Sequence, residues 1–256
     1  MDREKEGKMC VRADLTECTG ALPSGEAHVW HADFGTAQNR LDSLYNLLDH
    51  EEQERAWRFR VPAPREQFVI SHAFLRLALS KYLQIGARDV RFRVSEYGKP
   101  ELTNNSEVRF NLSHTDGAAV LAITCNRAVG VDVERVREDV EAVELAQRFF
   151  SAAEVDWLRS QPASARVAFF FACWTAKEAY IKACGTGLSM PLDGFSVIPR
   201  AGHERLQLEI YGDPGLSKTW SIWQLDLEPS LRCALAVQDV NVTVRFGKWL
   251  WPQTIL

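Results

Sequence analysis

Three short runs carry residues whose types and spacing suit phosphate and metal chemistry. In Gly130-Val131-Asp132-Val133-Glu134 two carboxylates stand two positions apart. On a strand such residues share a face, so Asp132 and Glu134 point one way and Val131 and Val133 the other. Side-by-side carboxylates repel, and a proton, a cation or water must relieve that. Oxygen donors of this kind suit Mg²⁺, which takes one or two carboxylates together with waters and substrate phosphates. A solvated strand face is the plainer reading of the same spacing.

In Trp174-Thr175-Ala176-Lys177-Glu178-Ala179-Tyr180-Ile181-Lys182, helical spacing lines Trp174, Glu178 and Lys182 along one face. Glu178 and Lys182 make either a surface ion pair or a third carboxylate beside a phosphate-binding lysine. Spacing alone leaves both open. Phe110-Asn111-Leu112-Ser113-His114-Thr115-Asp116-Gly117 reads as a strand entering a polar loop, whose histidine binds an anion or satisfies a turn. Gly98-Lys99-Pro100 is a turn whose lysine reaches a phosphate or plain solvent. Arg55, Arg58, Arg60 and Arg65 straddle a proline-broken segment and are balanced by Glu51, Glu52, Glu54 and Glu66, which suits a solvated face. Arg76, among Phe74, Leu75 and Leu77, is expected to be partly buried and paired.

These runs need elements to hold them. Leu41, Leu44, Leu47 and Leu48 predict a helix over 39–48, and a second covers 51–60, ended near Pro62 and Pro64. A strong helix spans 67–83. Strands follow over 90–94, 108–112, 118–124 and 129–133, after a first one at 29–34. Helices resume over 141–150, 152–159 and 163–184, the last bounded by Gly185 and Gly187, and strands close the pattern at 194–198, 206–211, 219–225 and 232–237. Helices then strands, twice over, predict two α+β lobes divided near Gly117.

Composition excludes other classes. The 256 residues are 46% hydrophobic and 25% charged, as in ordinary globular proteins, with a net charge of -4 that disfavours a basic nucleic-acid binder. The six cysteines form no C-x-x-C pair and read as reduced thiols. No apolar run reaches membrane-spanning length and the first residues do not read as a secretory signal, so a cytoplasmic location is expected. G-x-G-x-x-G, Walker-type, G-x-S-x-G and H-E-x-x-H motifs are absent.

Taken together and in order, YGKPEL, FNLSHT, GVDVER, RFFSAAE and WTAKEAYIKACGTGL resemble the 4'-phosphopantetheinyl transferase superfamily, and the length resembles its two-lobed, surfactin-synthetase-activating branch. The resemblance runs from about Arg55 to Gly187 and loosely to Val237. It implies an α+β fold of two pseudo-twofold-related lobes, each a small, mostly antiparallel sheet packed with helices. The expected division is a loosely ordered lead-in over 1–27, an N-terminal lobe over 28–117, a C-terminal lobe over 118–240 and a tail over 241–256. It implies transfer of the phosphopantetheine arm of coenzyme A to a serine of an apo acyl, peptidyl or aryl carrier protein, with Mg²⁺ or Mn²⁺ as cofactor, by a monomer without nucleic-acid or membrane partners.

Carried over by position, the resemblance makes Asp132, Glu134 and Glu178 the metal ligands, with Glu178 also the candidate base and Lys182 a phosphate ligand. Ser113 and His114 are implied to hold the 3'-phosphate and pyrophosphate region, Lys99 and Pro100 to flank the adenine, and Arg55 to contact a coenzyme A phosphate. Two positions depart from the pattern. Glu52 stands at a second basic position, and Phe68 stands where a small polar residue can cap the 3'-phosphate. Arg60 or Arg65 is expected to supply the missing charge. Carrier docking is expected at Arg135-Val136-Arg137 and Arg148-Phe149-Phe150. The alternative is a coenzyme A-binding module without turnover.

Overall fold

A computed structural model describes residues 10–12, 15, 20–104, 106–199 and 204–253. The chain opens with β1 (Cys10–Arg12) and β2 (Glu26–Asp33), then α1 (Leu41–Tyr45), α2 (His50–Arg58) and α3 (Pro62–Leu83). A hairpin of β3 (Phe92–Val94) and β4 (Pro100–Leu102) precedes β5 (Val108–Thr115), β6 (Ala118–Cys125) and β7 (Val129–Arg135). Next come α4 (Ala142–Phe149), α5 (Ala152–Ser160) and α6 (Arg166–Cys184). The last elements are β8 (Phe195–Ile198), β9 (Arg205–Ile210), α7 (Pro214–Ser217), β10 (Ser221–Leu225), β11 (Leu231–Val237) and β12 (Thr243–Lys248).

Local chemistry sets the helix ends. Asp49 and Glu52 cap α2 reciprocally, each side chain bonding the other's backbone N–H, and Ser151 and Glu154 do the same for α5. Pro62 and Pro64 do not end α2, which stops at Arg58; they open α3, where a missing N–H costs nothing. Gly185, at φ 71°, closes α6 in the left-handed region that glycine enters freely.

Two five-stranded sheets result, ordered β1-β12-β2-β6-β5 and β7-β11-β10-β9-β8. The second is antiparallel throughout, while β12 runs parallel to both β1 and β2. The fold is α+β. Leu121, Ile123 and Trp30 face the helices α1 and α3, whereas Val120, Ala122 and Val29 meet Val131, Val133 and Leu235 of the second sheet. The opposite face of that sheet, with Ala234 and Ala236, packs on Ala176, Ala179 and Ala183 of α6. The order through the molecule is therefore helices, sheet, sheet, helix, and β6 is buried almost along its whole length.

This topology corrects the expected division. Gly117, at φ 78°, only turns the β5–β6 hairpin. Because β6 pairs with β2, the chain changes sheet at the turn between Cys125 and Val129. The expected tail is not separate either: β12 lies inside the first sheet and Trp249 is buried against Trp30 and Phe74. Of the expected lead-in, β1 pairs with β12 and the start of β2 already lies in the sheet; residues 1–9, 13–14 and 16–19 lie outside the described residues.

Helix α6 rests directly on β7 at Gly130, where a Cβ would run into the Ala179 carbonyl oxygen and the Ala183 nitrogen. Both obstacles are backbone and cannot rotate aside. We expect Gly130→Ala to destabilise the protein by about 1–3 kcal/mol, read as a lower urea midpoint at an unchanged slope.

Candidate active site

The two sheets meet edge to edge at β5 and β7 without merging. Asn111, Ser113 and Thr115 of β5 share one face. Asn111 Oδ1 accepts from the Val131 N–H at 2.8 Å, Ser113 Oγ from Val133 at 3.3 Å and Thr115 Oγ1 from Arg135 at 3.3 Å. Side chains thus occupy the edge of β7 where a further strand would otherwise pair. The run expected to be a polar loop is strand as far as Thr115, which is why its polar residues alternate.

With these N–H groups pointing at β5, the Asp132 and Glu134 side chains turn toward α6, as the spacing requires. Asp132 is buried. Its Oδ1 accepts from Ser113 Oγ at 2.9 Å and from Lys182 Nζ at 2.5 Å. Its Oδ2 is equally buried and has no hydrogen-bond partner among the described residues. Lys182 Nζ also donates to Ser113 Oγ at 3.1 Å, so the serine hydroxyl gives one hydrogen bond and receives two, tying β5, β7 and α6 together.

Glu134 and Glu178 are half-buried and feel the same charge. Burial, then the charge of Asp132, pushes both carboxyls above the ordinary carboxylate range, while Lys182 pulls the other way. Among the described residues no three acidic, histidine or cysteine side chains converge as a finished metal shell. Lys182 occupies the Asp132 oxygen that such a shell would share. The donor set still fits a hard cation: it is all oxygen, two of its members resist ionisation, and one buried oxygen lacks a partner.

The helix carrying Glu178 and Lys182 is pinned from behind. Lys177 and Glu154 are fully buried and joined at 2.7 and 2.9 Å. Lys177 also donates to the Phe195 carbonyl, and Glu154 accepts from Ser151 and from the Val197 N–H. A buried pair is tolerable only when its remaining hydrogen-bonding capacity is met, as here. Ser151 and Glu154 of RFFSAAE and the first lysine of the α6 run therefore serve α6 itself. The S-x-x-E spacing was the signal for this, and the sequence reading did not use it.

A group of basic side chains lies on the other side of Lys182. His114 extends from the β5 face that carries Phe110, toward α3. Burial, then the nearby charges of His72, Lys182 and Arg55, hold its imidazole below the ordinary value. Arg55 and His72 both lie against the Phe68 ring, at 5.1 and 4.0 Å between centres. Glu52 accepts from His72 at 2.8 Å and from Arg76 at 2.6 Å, and Arg76, fully buried, also pairs with Asp49. Arg65, one turn before Phe68 on α3, stands over the Trp57 ring at 3.5 Å. Arg60 is exposed.

Lys99 is committed differently from the sequence expectation. Its ammonium donates to the carbonyls of Val129, Lys182 and Ala183, capping α6 against β7, and burial pulls it down to about 8. Lys99 and Pro100 nonetheless line a cavity of about 740 Å³ with Tyr97, Phe110, Val129 and Cys184. A second cavity, of about 230 Å³, adjoins Glu134 and is walled by Arg137, Leu145, Phe149, Phe170 and Trp174. Of the expected docking residues, Arg137, Arg148 and Phe149 are exposed, Phe150 is core, and Arg135 is tied to the Asp116 carbonyl and Ser230.

Comparison with known proteins settles the family. A family model described as 4'-phosphopantetheinyl transferase superfamily matches residues 128–237, and one described as 4'-phosphopantetheinyl transferase, N-terminal, matches 33–126. The 4'-phosphopantetheinyl transferase HetI of Nostoc sp. is 33% identical over 221 residues, covering 84% of this chain and 88% of the relative. The chain belongs to the 4'-phosphopantetheinyl transferase superfamily. Two further members of this superfamily are similar to it: Sfp of Bacillus subtilis, 28% identical across 75% of this chain and 85% of its own length, and gsp of Aneurinibacillus migulanus, 35% identical across 63% and 68%. The boundary between the two family models falls at the same turn where the chain changes sheet.

Burial and the like charge of Asp132 act on stability with a measurable sign. A carboxyl raised above its ordinary value of 4.5 makes folding less favourable as pH climbs from that value through the raised one. Glu134→Gln or Glu178→Gln should therefore raise the melting temperature by about 2 °C at neutral pH in chelator. The gain should vanish below about pH 4.5, where folded and unfolded chains both hold the proton. Scanning calorimetry at the two pH values checks this.

Proposed function

We propose that this chain transfers the 4'-phosphopantetheine arm of coenzyme A to a serine of an apo carrier protein and releases adenosine 3',5'-bisphosphate. The observation that carries this reading is the buried Asp132 carboxylate. One of its oxygens is on Lys182 and the other has no partner among the described residues, with two further carboxyls on one side and a group of basic side chains on the other. A dense anion and its counter-cation would both find complementary charge there.

Asp132, Glu134 and Glu178 would hold a magnesium or manganese ion, which when bound supplies positive charge to the pyrophosphate oxygens. The protein's own groups do the remaining work. The adenosine end occupies the 740 Å³ cavity, with Lys99 and Pro100 as wall and the terminal phosphate toward His114 and Arg55. The carrier serine oxygen bonds to the β-phosphorus as the bond from that phosphorus to the bridging oxygen breaks, and the bridging oxygen leaves on the adenosine bisphosphate. Lys182 exchanges Asp132 Oδ1 for a phosphate oxygen and stabilises charge where it develops. Glu178 takes the serine proton. Its raised basicity brings it nearer the range in which a carboxylate is an effective base.

Arg137, Arg148 and exposed Phe149 present positive charge and apolar surface beside the 230 Å³ cavity, a surface suited to an acidic helix of the carrier. Every group named comes from one chain, and no helix of the described residues is long and apolar enough to cross a membrane.

Incubation with coenzyme A, Mg²⁺ and a panel of apo acyl, peptidyl and aryl carriers, followed by intact-mass measurement, tests the reading. A carrier gain of about 340 Da, the mass of the arm, is expected. Glu178→Gln should slow the gain by at least about a hundredfold while leaving coenzyme A bound. Tight coenzyme A binding with no gain on any carrier would instead mark a binding module.

A further inference from the structure

The basic side chains around Phe68 differ in how firmly they are held. Arg55 is exposed and in no ion pair among the described residues, so only the Phe68 ring restrains it. His72 is fixed on two sides. Its ring stacks on Phe68 at 4.0 Å, and its Nδ1 is bonded at 2.8 Å to Glu52, itself locked by the capping box of α2 and by buried Arg76. The Nδ1 bond leaves Nε2 as the nitrogen available to a ligand, and it has no partner among the described residues.

The topology brings this histidine near His114. His72 lies on α3, one helical turn beyond Phe68, and His114 lies on the β5 face packed toward α3. His72 stands close enough to His114 to lower the latter's basicity. Two histidines and an arginine set near one another, with the Glu52 carboxylate held on the Nδ1 side of His72, offer donors that suit a dianionic phosphomonoester.

We propose that His72, oriented by Glu52 and Phe68, is a ligand of the 3'-phosphate of coenzyme A and shares that grip with His114 and Arg55. Glu52 is then no phosphate contact at all. It sets the ring of the histidine that is.

The inference rests on coenzyme A being the substrate, and a ligand pair separates the two claims. Titration calorimetry of the full chain with coenzyme A and with 3'-dephospho-coenzyme A reads the terminal phosphate alone. Wild type should bind coenzyme A at least about thirtyfold more tightly. His72→Ala should weaken coenzyme A about tenfold and leave dephospho-coenzyme A unchanged, which also shows that the variant is folded. Should His72→Ala fail to fold, His72→Gln, which keeps a side-chain donor toward Glu52, reads the same ratio. An undiminished preference for coenzyme A in the folded variant, or an equal loss for both ligands, overturns the role of His72. Equal wild-type affinity for the two ligands overturns it as well, while leaving the transferase reading intact. Absence of binding to either ligand overturns both.

Discussion

The site depends on how two sheet edges meet. A strand edge offers backbone donors that must be satisfied, and merging the sheets would be the simplest way to do so. Here the β7 edge is instead met by side chains, Asn111, Ser113 and Thr115. The sheets stay separate, each with its own helix layer, yet are locked in one register. That register brings Ser113 to Asp132 and leaves Asp132 facing α6. The bare backbone at Gly130 then lets α6 close in far enough for Lys182 to reach the carboxylate.

Around that seam the charges are sorted. Three carboxyls gather between β7 and α6, and the histidines and Arg55 gather between β5 and α3. Lys182 stands where the two regions touch, on an oxygen that nothing else claims as strongly. The surrounding ion pairs are of another kind. Lys177–Glu154 and Arg76–Glu52 are saturated with hydrogen bonds and hold helices in place. The difference between a structural and a chemical charge in this protein is whether its partners satisfy it.

Much of this was legible in the sequence. Period two placed Asp132 and Glu134 together, and period 3.6 placed Glu178 above Lys182. Element order gave two α+β lobes. Three features were not legible. Lys99 reads as a free turn lysine because nothing local reveals that the end of α6, far along the chain, needs its ammonium. Glu52 reads as a misplaced charge because its partners, His72 and Arg76, sit on another helix. The lobe boundary was misplaced because Gly117 and the Asn126 turn look alike locally, and only strand pairing tells a hairpin from a crossing between sheets.

The position of β12 has a consequence for how the molecule is made. It sits between β1 and β2, and its Arg245 bonds Glu26 from 219 residues away. The first sheet thus lacks an inner strand until almost everything else has been synthesised. Until then β2 presents an open edge, and Trp30 and Phe74 lack the Trp249 ring that covers them. The lobe that starts first on the ribosome is the one that finishes last, and contacts of such long span form slowly. During that interval the nascent chain is open to strand pairing with its neighbours, a hazard that disappears when β12 slots home.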